Sequence, residues 1–148
     1  MIYIASDHAG IELKKTIFEY LKKQGSEVVD CGPHIQDPED DYPDFIYPCA
    51  VLVAKNPGSM GIVIGGSGQG EAFAANKVKG IRAALYYGGT KEIVRLSREH
   101  NDTNILSLAG RLLSPEEAKE AVDIWLSTKF DQTSRHQRRH DKIKEFEQ

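Results

Sequence analysis

The sequence is poor in several features that would each indicate a particular class of protein. Its 148 residues include two cysteines, Cys31 and Cys49, too few for a disulfide framework and without the spacing of a metal motif. No apolar run approaches the about 20 residues of a membrane span, and the N-terminus resembles a core strand rather than a signal peptide. We therefore expect a cytoplasmic protein that does not contact membranes, with both cysteines as buried free thiols.

The chain also has no excess of positive charge. The formal net charge is −3, so we expect no broad basic surface and no general binding of nucleic acid. Hydrophobic residues make up 40% and charged residues 28% of the chain, as is typical of a soluble globular protein. The length predicts one domain over residues 1–148, large enough to bury a substantial core.

Short β-branched runs alternate with longer stretches of helical periodicity. Strands are predicted at residues 2–6, 27–31, 61–65, 82–86 and 105–109, and helices at 10–23, 42–55, 71–77, 90–99, from Ser114 onward, and 132–146. This alternation predicts an α/β fold, a Rossmann-like three-layer sandwich in which helices cover both faces of an about five-stranded parallel sheet. The strands are almost entirely apolar, as expected when both faces of the sheet are covered.

Two polar motifs directly follow the first and third predicted strands. The first strand ends in SDHAG, residues 6–10, and the third ends in GGSGQGE, residues 65–71. Doubly wound sheets bind ligands beyond the carboxyl ends of the strands, where the strand order reverses. In the common five-strand order this point lies between the first and third strands, so both motifs should line one crevice.

The GGSGQGE motif resembles a phosphate-binding loop but ends in a carboxylate. Glu71 stands where a dinucleotide fingerprint requires glycine, and the Lys-Ser/Thr pair of a P-loop is absent. The loop still presents the backbone N–H groups of Gly66, Ser67, Gly68, Gln69 and Gly70. Such groups favour a phosphate or a developing oxyanion at a helix N-terminus. Glu71 is then either a base beside an oxyanion hole or a residue that only complements the helix dipole.

Histidine and acidic residues supply further candidates. His100 lies in EHNDTN, residues 99–104, which is predicted to join the fourth helix to the fifth strand. It is either a general acid or a histidine of a polar turn. Asp7 and His8 would hold sugar hydroxyls or assist ring opening, or would act only as backbone caps. No zinc site is expected, because no His-x-x-x-His or paired-cysteine spacing occurs.

Arginines near the end of the chain would suit a phosphate. Arg135 and Arg139 lie four residues apart, on one face of the last predicted helix. Two guanidinium groups on one face match a phosphate dianion, although a solvated basic helix end is as good an interpretation. Arg111, just after the fifth strand, is a third candidate for this role.

Four motifs together resemble, in order, those of the type B ribose-5-phosphate isomerases. They are SDHAG, GGSGQGEAFAANKVKGIRAA, SREHNDTNILSLAGR and RHQRR, and they span nearly the whole chain. The wider family includes galactose-6-phosphate isomerase subunits and allose-phosphate isomerases. The resemblance implies interconversion of ribose 5-phosphate and ribulose 5-phosphate through a cis-enediolate, with no metal or cofactor. One family branch uses a cysteine base at the position of Gly65, and the other uses a glutamate at the position of Glu71.

The resemblance also implies a role for each candidate residue. Glu71 would move the proton between C1 and C2, and His100 would open the furanose ring. The amides of the glycine loop, with Ser67, would stabilise the enediolate oxygen, supported by Asn101. The remaining candidates divide between orienting the sugar (Asp7 and His8) and clamping its phosphate (Arg111, Arg135, Arg139 and His136).

Topology adds a prediction about assembly. The fourth helix should run back to the edge of the sheet opposite the crevice, which would take His100 far from Glu71 of its own chain. If both act on one sugar, the chain forms a homodimer with shared active sites, either alone or as part of a tetramer. Two alternatives stay open: an isomerase of a hexose 6-phosphate such as allose or galactose 6-phosphate, and a non-enzymatic nucleotide-binding domain with a Rossmann-like sheet.

Overall fold

Strands and helices alternate along the chain as the hydrophobic pattern predicts. The computed structural model describes residues 1–148, except for the side chain of Ser134. Strands β1 to β5 are Ile2–Ser6, Val28–Asp30, Met60–Gly65, Ala83–Tyr86 and Ile105–Ala109. Helices α1 to α6 are Ile11–Lys23, Pro43–Lys55, Gln69–Ala75, Glu92–Asn101, Pro115–Ser127 and Ser134–Phe146, and a short 3₁₀ helix covers His8–Gly10. The α/β prediction is confirmed.

All five strands are parallel and lie in the order β2-β1-β3-β5-β4. This departs from the common order, because β5 lies between β3 and β4. The burial of the two strands agrees with this order, since β5 is buried along its whole length while the edge strand β4 is mostly half-buried. The strands β1 and β3 remain neighbours, so the crevice stays where the sequence predicts it.

Two apolar layers cover the sheet, one on each face. Alternate residues of β1 face opposite sides, with Ile4 in one layer and Ala5 in the other. The helices α1, α4 and α5 contribute to the first layer, which includes the fully buried Trp125. The helices α2 and α3 contribute to the second, which contains the buried Cys49. Both cysteines are free, but Cys31 is only half-buried because it follows the edge strand β2, so the prediction that both are buried is wrong for this residue.

The helix α4 extends two residues beyond its predicted end, so the prediction that His100 lies in a connecting loop is wrong. Asp102 closes the helix in the left-handed conformation with φ 47°, and its N–H donates to the carbonyl of Arg98 at 3.1 Å. The guanidinium of Arg98 donates back to the Asp102 carboxylate at 2.8 Å. This C-terminal cap keeps His100 and Asn101 in the last helical turn. Within the described residues, no helix combines the length and the hydropathy of a membrane span.

Candidate active site

The loops that follow β1, β3 and β5 are hydrogen-bonded to one another at the carboxyl edge of the sheet. The N–H of Asp7 donates to the carbonyl of Ile64 at 3.1 Å, which joins the first loop to the third strand. The N–H of Arg111 donates to the carbonyl of Gly66 at 3.0 Å, which joins the fifth strand to the glycine loop. Asp7, Arg111 and the glycine loop therefore share one crevice at the point where the strand order reverses.

Glu71 lies in the first turn of α3, and only 3% of its surface is exposed. Its carboxyl group fills the space beside Gly65, because a Cβ built on that glycine would lie 2.0 Å from Glu71 Cδ. Burial raises the pKa of the carboxyl group, and the nearby Asp7 raises it further, while a hydrogen bond from its own backbone opposes both. A carboxylate with a raised pKa is suited to take a proton from carbon near neutral pH.

The glycine loop is fastened to the sheet beneath it. Gly68 adopts φ 76° at the N-cap of α3, and a Cβ built there would lie 2.8 Å from a methyl group of Leu85. Its carbonyl accepts a hydrogen bond from the buried Ser107 hydroxyl at 2.7 Å, while the Ser67 hydroxyl accepts from the N–H of Gln69 at 3.4 Å. The N–H groups of the first helical turn have no helical carbonyl to bind, so this fixed loop can stabilise an oxyanion.

Asp7 and His8 both have protein partners in the crevice. The Asp7 carboxylate accepts from the N–H of Gly10 at 3.0 Å, so Asp7 does act as a backbone cap. His8 Nδ1 donates to the Asp40 carboxylate at 2.7 Å. This hydrogen bond raises the pKa of His8, and the negative charge of Asp7 raises it as well. Burial and the positive charge of Arg111 lower this pKa, but the net shift is upward. The crevice therefore holds a histidine paired with a carboxylate next to the buried Glu71.

A second group of predicted residues surrounds a separate cavity of about 620 Å³. The imidazole rings of His100 and His136 stack there with centroids 4.3 Å apart, and Asn101 and Arg139 line the same cavity. Burial lowers the pKa of His136, and the charges of His100 and Arg135 lower it further. Arg135 itself is exposed on α6 and is not among the residues that line this cavity. Of the two arginines predicted to share one face of the last helix, Arg139 therefore lines this cavity and Arg135 does not.

The two groups lie at opposite ends of the parallel strands. Glu71 follows the carboxyl end of β3, whereas the second cavity is lined by the amino end of β4 and the end of α4. The strand β5 has five residues, so the carboxyl and amino ends of the strands are separated by about 15 Å. The structure thus brings together Asp7, His8, the glycine loop, Glu71 and Arg111, and separately His100, Asn101, His136 and Arg139. It does not bring His100 to Glu71 of the same chain.

Comparison with known proteins agrees with the motifs. The family model for Ribose/Galactose Isomerase matches residues 2–143. Ribose-5-phosphate isomerase B from Mycobacterium leprae is 45% identical over 146 residues, which is 99% of this chain and 89% of that protein. The chain belongs to the ribose/galactose isomerase family.

Solved structures of members of this isomerase family have the same fold. Ribose-5-phosphate isomerase B from Mycoplasma genitalium, crystallised with bound ribulose-5-phosphate, superposes with a TM-score of 0.93 at 46% identity, covering 99% of this chain and 95% of that one. The Clostridium thermocellum ribose-5-phosphate isomerase B gives a TM-score of 0.92 at 46% identity, covering 99% and 96%. Family membership thus extends over the whole fold.

Four residues near the two groups of this family member were not predicted from the sequence. Asp40 binds His8, and the ring of Tyr42 packs on Gly70. Arg82 and His140 line the cavity of the second group, and among the described residues neither ring nitrogen of the buried His140 has a hydrogen-bond partner. The acidic run in the loop before α2 was the one visible signal, and it did not distinguish Asp40 from its neighbours. The described residues contain no metal-binding cluster of three or more His, Cys, Asp or Glu side chains.

Proposed function

We propose that the chain interconverts ribose 5-phosphate and ribulose 5-phosphate through a cis-enediolate, with Glu71 as the base. The observation that carries this proposal is the buried Glu71 carboxylate, whose pKa is raised, beside a loop of backbone N–H groups. Relatives named ribose-5-phosphate isomerase B support the choice of substrate. A phosphorylated sugar does not cross a bilayer freely, so the proposed substrate fits an enzyme of the cytoplasm.

The proposed chemistry moves one proton between neighbouring carbons. Glu71 takes the proton from C2 of the open-chain aldose, and the electrons of the broken C–H bond form the C1–C2 double bond. Negative charge then develops on the C1 oxygen, where the N–H groups of residues 66–70 and the Ser67 hydroxyl stabilise it. Proton transfer between the two oxygens and return of the proton from Glu71 to C1 complete the ketose. Loss of one such donor typically costs about 10²–10³ in rate, so the loop is a large contributor.

The second group of residues would complete the site from a partner subunit. His100 supplies the acid that opens the furanose ring, and Asn101 supports the enediolate. Arg139 and His136 bind the phosphate together with Arg111 and Arg135. Within one chain these side chains are divided between two edges of the sheet, which favours a homodimer whose sites are shared.

An exposed apolar surface beside the crevice supports this assembly. Phe73, two residues after Glu71 on α3, has 63% of its surface exposed. Tyr47 on α2 is half-exposed, and both residues line the same shallow cavity. Large apolar side chains grouped at a surface are typical of protein interfaces, so we place the partner subunit on this face. Such an arrangement would bring the partner's second group of residues next to α3.

The test is proton exchange at C2 of ribose 5-phosphate in heavy water. The wild-type protein should incorporate deuterium, and Glu71→Gln should lose about 10²–10⁴ in exchange rate, because the amide cannot accept the proton. Glu12→Gln is a matched control, since Glu12 lies in the first turn of α1 but is exposed. Exchange by Glu71→Gln at the wild-type rate would refute the assignment of the base. Faster turnover of allose 6-phosphate than of ribose 5-phosphate would refute the substrate.

A further inference from the structure

The loop between β2 and α2, residues 31–42, is held in place by a buried lysine. Lys14 on α1 has only 1% of its side chain exposed, and its ammonium group donates to the Asp30 carboxylate at 2.7 Å and to the Pro33 carbonyl at 2.6 Å. The same Asp30 carboxylate accepts from the N–H of Gly32 at 2.9 Å. Burying an ammonium group is favourable only when it is paired and fully hydrogen-bonded. The start of the loop is therefore fixed rather than free to drift.

The far part of this loop contacts His8 at two points. The amide of Gln36 donates to the backbone carbonyl of His8 at 2.9 Å. His8 Nδ1 and an Asp40 carboxylate oxygen are 2.7 Å apart, across 32 positions of sequence. Only 6% of the Asp40 side chain is exposed, compared with 25% of the His8 side chain. The loop thus fixes the position of both the backbone and the imidazole ring of His8.

The chemistry of the pair determines which nitrogen of His8 is available. An ionised carboxylate accepts hydrogen bonds and cannot donate one, so Nδ1 of His8 must carry a hydrogen. Nε2 is then the nitrogen left for other partners, as an acceptor in the neutral ring and as a donor in the imidazolium. The second carboxylate oxygen of Asp40 is buried and has no partner in the part of the chain that the structure describes. A buried carboxylate with one partner favours the charged form of that partner, so His8 is held towards imidazolium.

We propose that Asp40 is a positioning residue for the isomerase reaction, holding His8 so that Nε2 meets an oxygen atom of the sugar phosphate. Asp40 does not touch the substrate and acts through His8. This inference rests on the proposed function, in which His8 orients the sugar. Three charged groups act on His8 from different segments of the crevice: Asp7 after β1, Asp40 in the loop and Arg111 after β5. A protonated His8 beside Arg111 gives the crevice a second cationic donor for an oxygen-rich ligand.

Asp40→Asn tests this role with a near-isosteric change. We expect kcat/KM to fall about tenfold or more, as when a functional histidine loses its orienting partner. The wild-type rate should decline as the pH rises through the raised pKa of His8, because imidazolium is lost. In Asp40→Asn this decline should begin at lower pH, since a neutral amide replaces the carboxylate whose hydrogen bond and charge raise the pKa. Asp37→Asn is the control, because among the described residues the Asp37 carboxylate accepts only from the N–H of Glu39 in the same loop, at 2.9 Å, and the substitution leaves the backbone bond from the N–H of Asp40 to the Asp37 carbonyl in place. It should leave both rate and pH profile unchanged.

Two further measurements separate positioning from general stability. Nitrogen-15 NMR of histidine-labelled protein above the His8 pKa should show the Nδ1–H tautomer in the wild type and lose that preference in Asp40→Asn. In a His8→Gln background, Asp40→Asn should cause no additional loss of rate, because the residue through which it acts is gone. An additive loss, or a change in thermal stability with unchanged pH profile and tautomer, would overturn the inference.

Different experimental results would refute the proposed function and the role of Asp40. A His8→Gln variant at the wild-type rate would remove His8 from the substrate site, and a wild type inactive on ribose 5-phosphate would refute the proposed reaction. Full activity in Asp40→Asn together with loss in His8→Gln would overturn only the role of Asp40. The tautomer measurement needs no substrate, so it decides the position of the His8 proton in every case.

Discussion

At the scale of single residues, Gly65 and Glu71 compete for one volume. The carboxyl group of Glu71 lies where a side chain on Gly65 would begin, with 2.0 Å between Cδ and a Cβ built on the glycine. The sequence resemblance indicates two branches of the family, one with a cysteine at this strand end and one with a glutamate in the following helix. The two arrangements exclude each other sterically, because each fills the same place at the carboxyl end of β3.

We predict that Gly65→Ala displaces the Glu71 side chain and lowers kcat at least about 10²-fold, the contribution expected of a positioned base. The overlap is with a side chain rather than with backbone, so the fold should persist. Steady-state assays and thermal unfolding of the same preparation check both statements. A variant with near wild-type kcat would show that the observed place of the carboxylate is not needed for the reaction.

The same geometry explains how much of the site the sequence could predict. Glu71 and its glycines are neighbours in sequence, so their chemistry can be inferred from one short motif. Asp40 pairs with His8 across 32 positions, and no local pattern carries that information. Its burial depends on how the loop before α2 is anchored by Lys14, which is a tertiary contact.

At the scale of elements, apolar runs predicted the strands well and the helix ends less well. The strand β5 has its predicted bounds, Ile105–Ala109, because its buried run is uninterrupted. The end of α4 differs, because the cap at Asp102 depends on a left-handed conformation that aspartate adopts only occasionally. The strand β4 lies at the edge of the sheet and is therefore less buried than β5, a difference that their apolar runs do not display.

The helix α6 carries a buried histidine, so the stability of the folded protein should depend on pH. His140 on α6 is buried beside the ring of Phe130, and burial lowers its pKa, with Arg82 and Lys144 lowering it further. Folding lowers the pKa of His140 from its value of 6.5 in the unfolded chain. The neutral ring therefore contributes stability above pH 6.5, and this contribution is lost as the pH falls through the pKa of the folded state. Stability should therefore decline below about pH 6.5.

We predict that His140→Phe reduces this acid sensitivity, because phenylalanine fills the site without a group that must stay neutral. The unfolding temperature at pH 5.5 should rise relative to the wild type, and in a chain of this size each 1 kcal/mol of stability corresponds to roughly 2–4 °C. The difference between variant and wild type should shrink at pH 8. Thermal unfolding at both pH values measures it, with the exposed His34→Phe as the control. An equal shift at both values would show that protonation is not the cause.

At the scale of the whole molecule, the chain carries two groups of candidate site residues that do not meet within it, and in the proposed function they are the two halves of one shared site. Glu71 and the glycine loop lie at the carboxyl edge of the sheet, and His100 lies in the last turn of α4 at the other edge. With the roles proposed above, neither half alone supplies a base, a ring-opening acid and a phosphate clamp. A second copy of the chain can join the halves with closed two-fold symmetry, which gives two equal sites.

We predict that two inactive variants restore activity when their subunits are exchanged. In a dimer of Glu71→Gln with His100→Asn, one site contains both altered residues and the other contains neither. Random exchange makes half of the dimers mixed, so about a quarter of the wild-type rate should return. Refolding the two variants together and assaying turnover of ribose 5-phosphate measures the recovery. The control mixes Glu71→Gln with Asp7→Asn, which lie in the same half, so no site escapes damage and no recovery is expected. Equal rates in both mixtures would mean that each chain builds its site alone, and the separation of His100 from Glu71 would then need a different explanation.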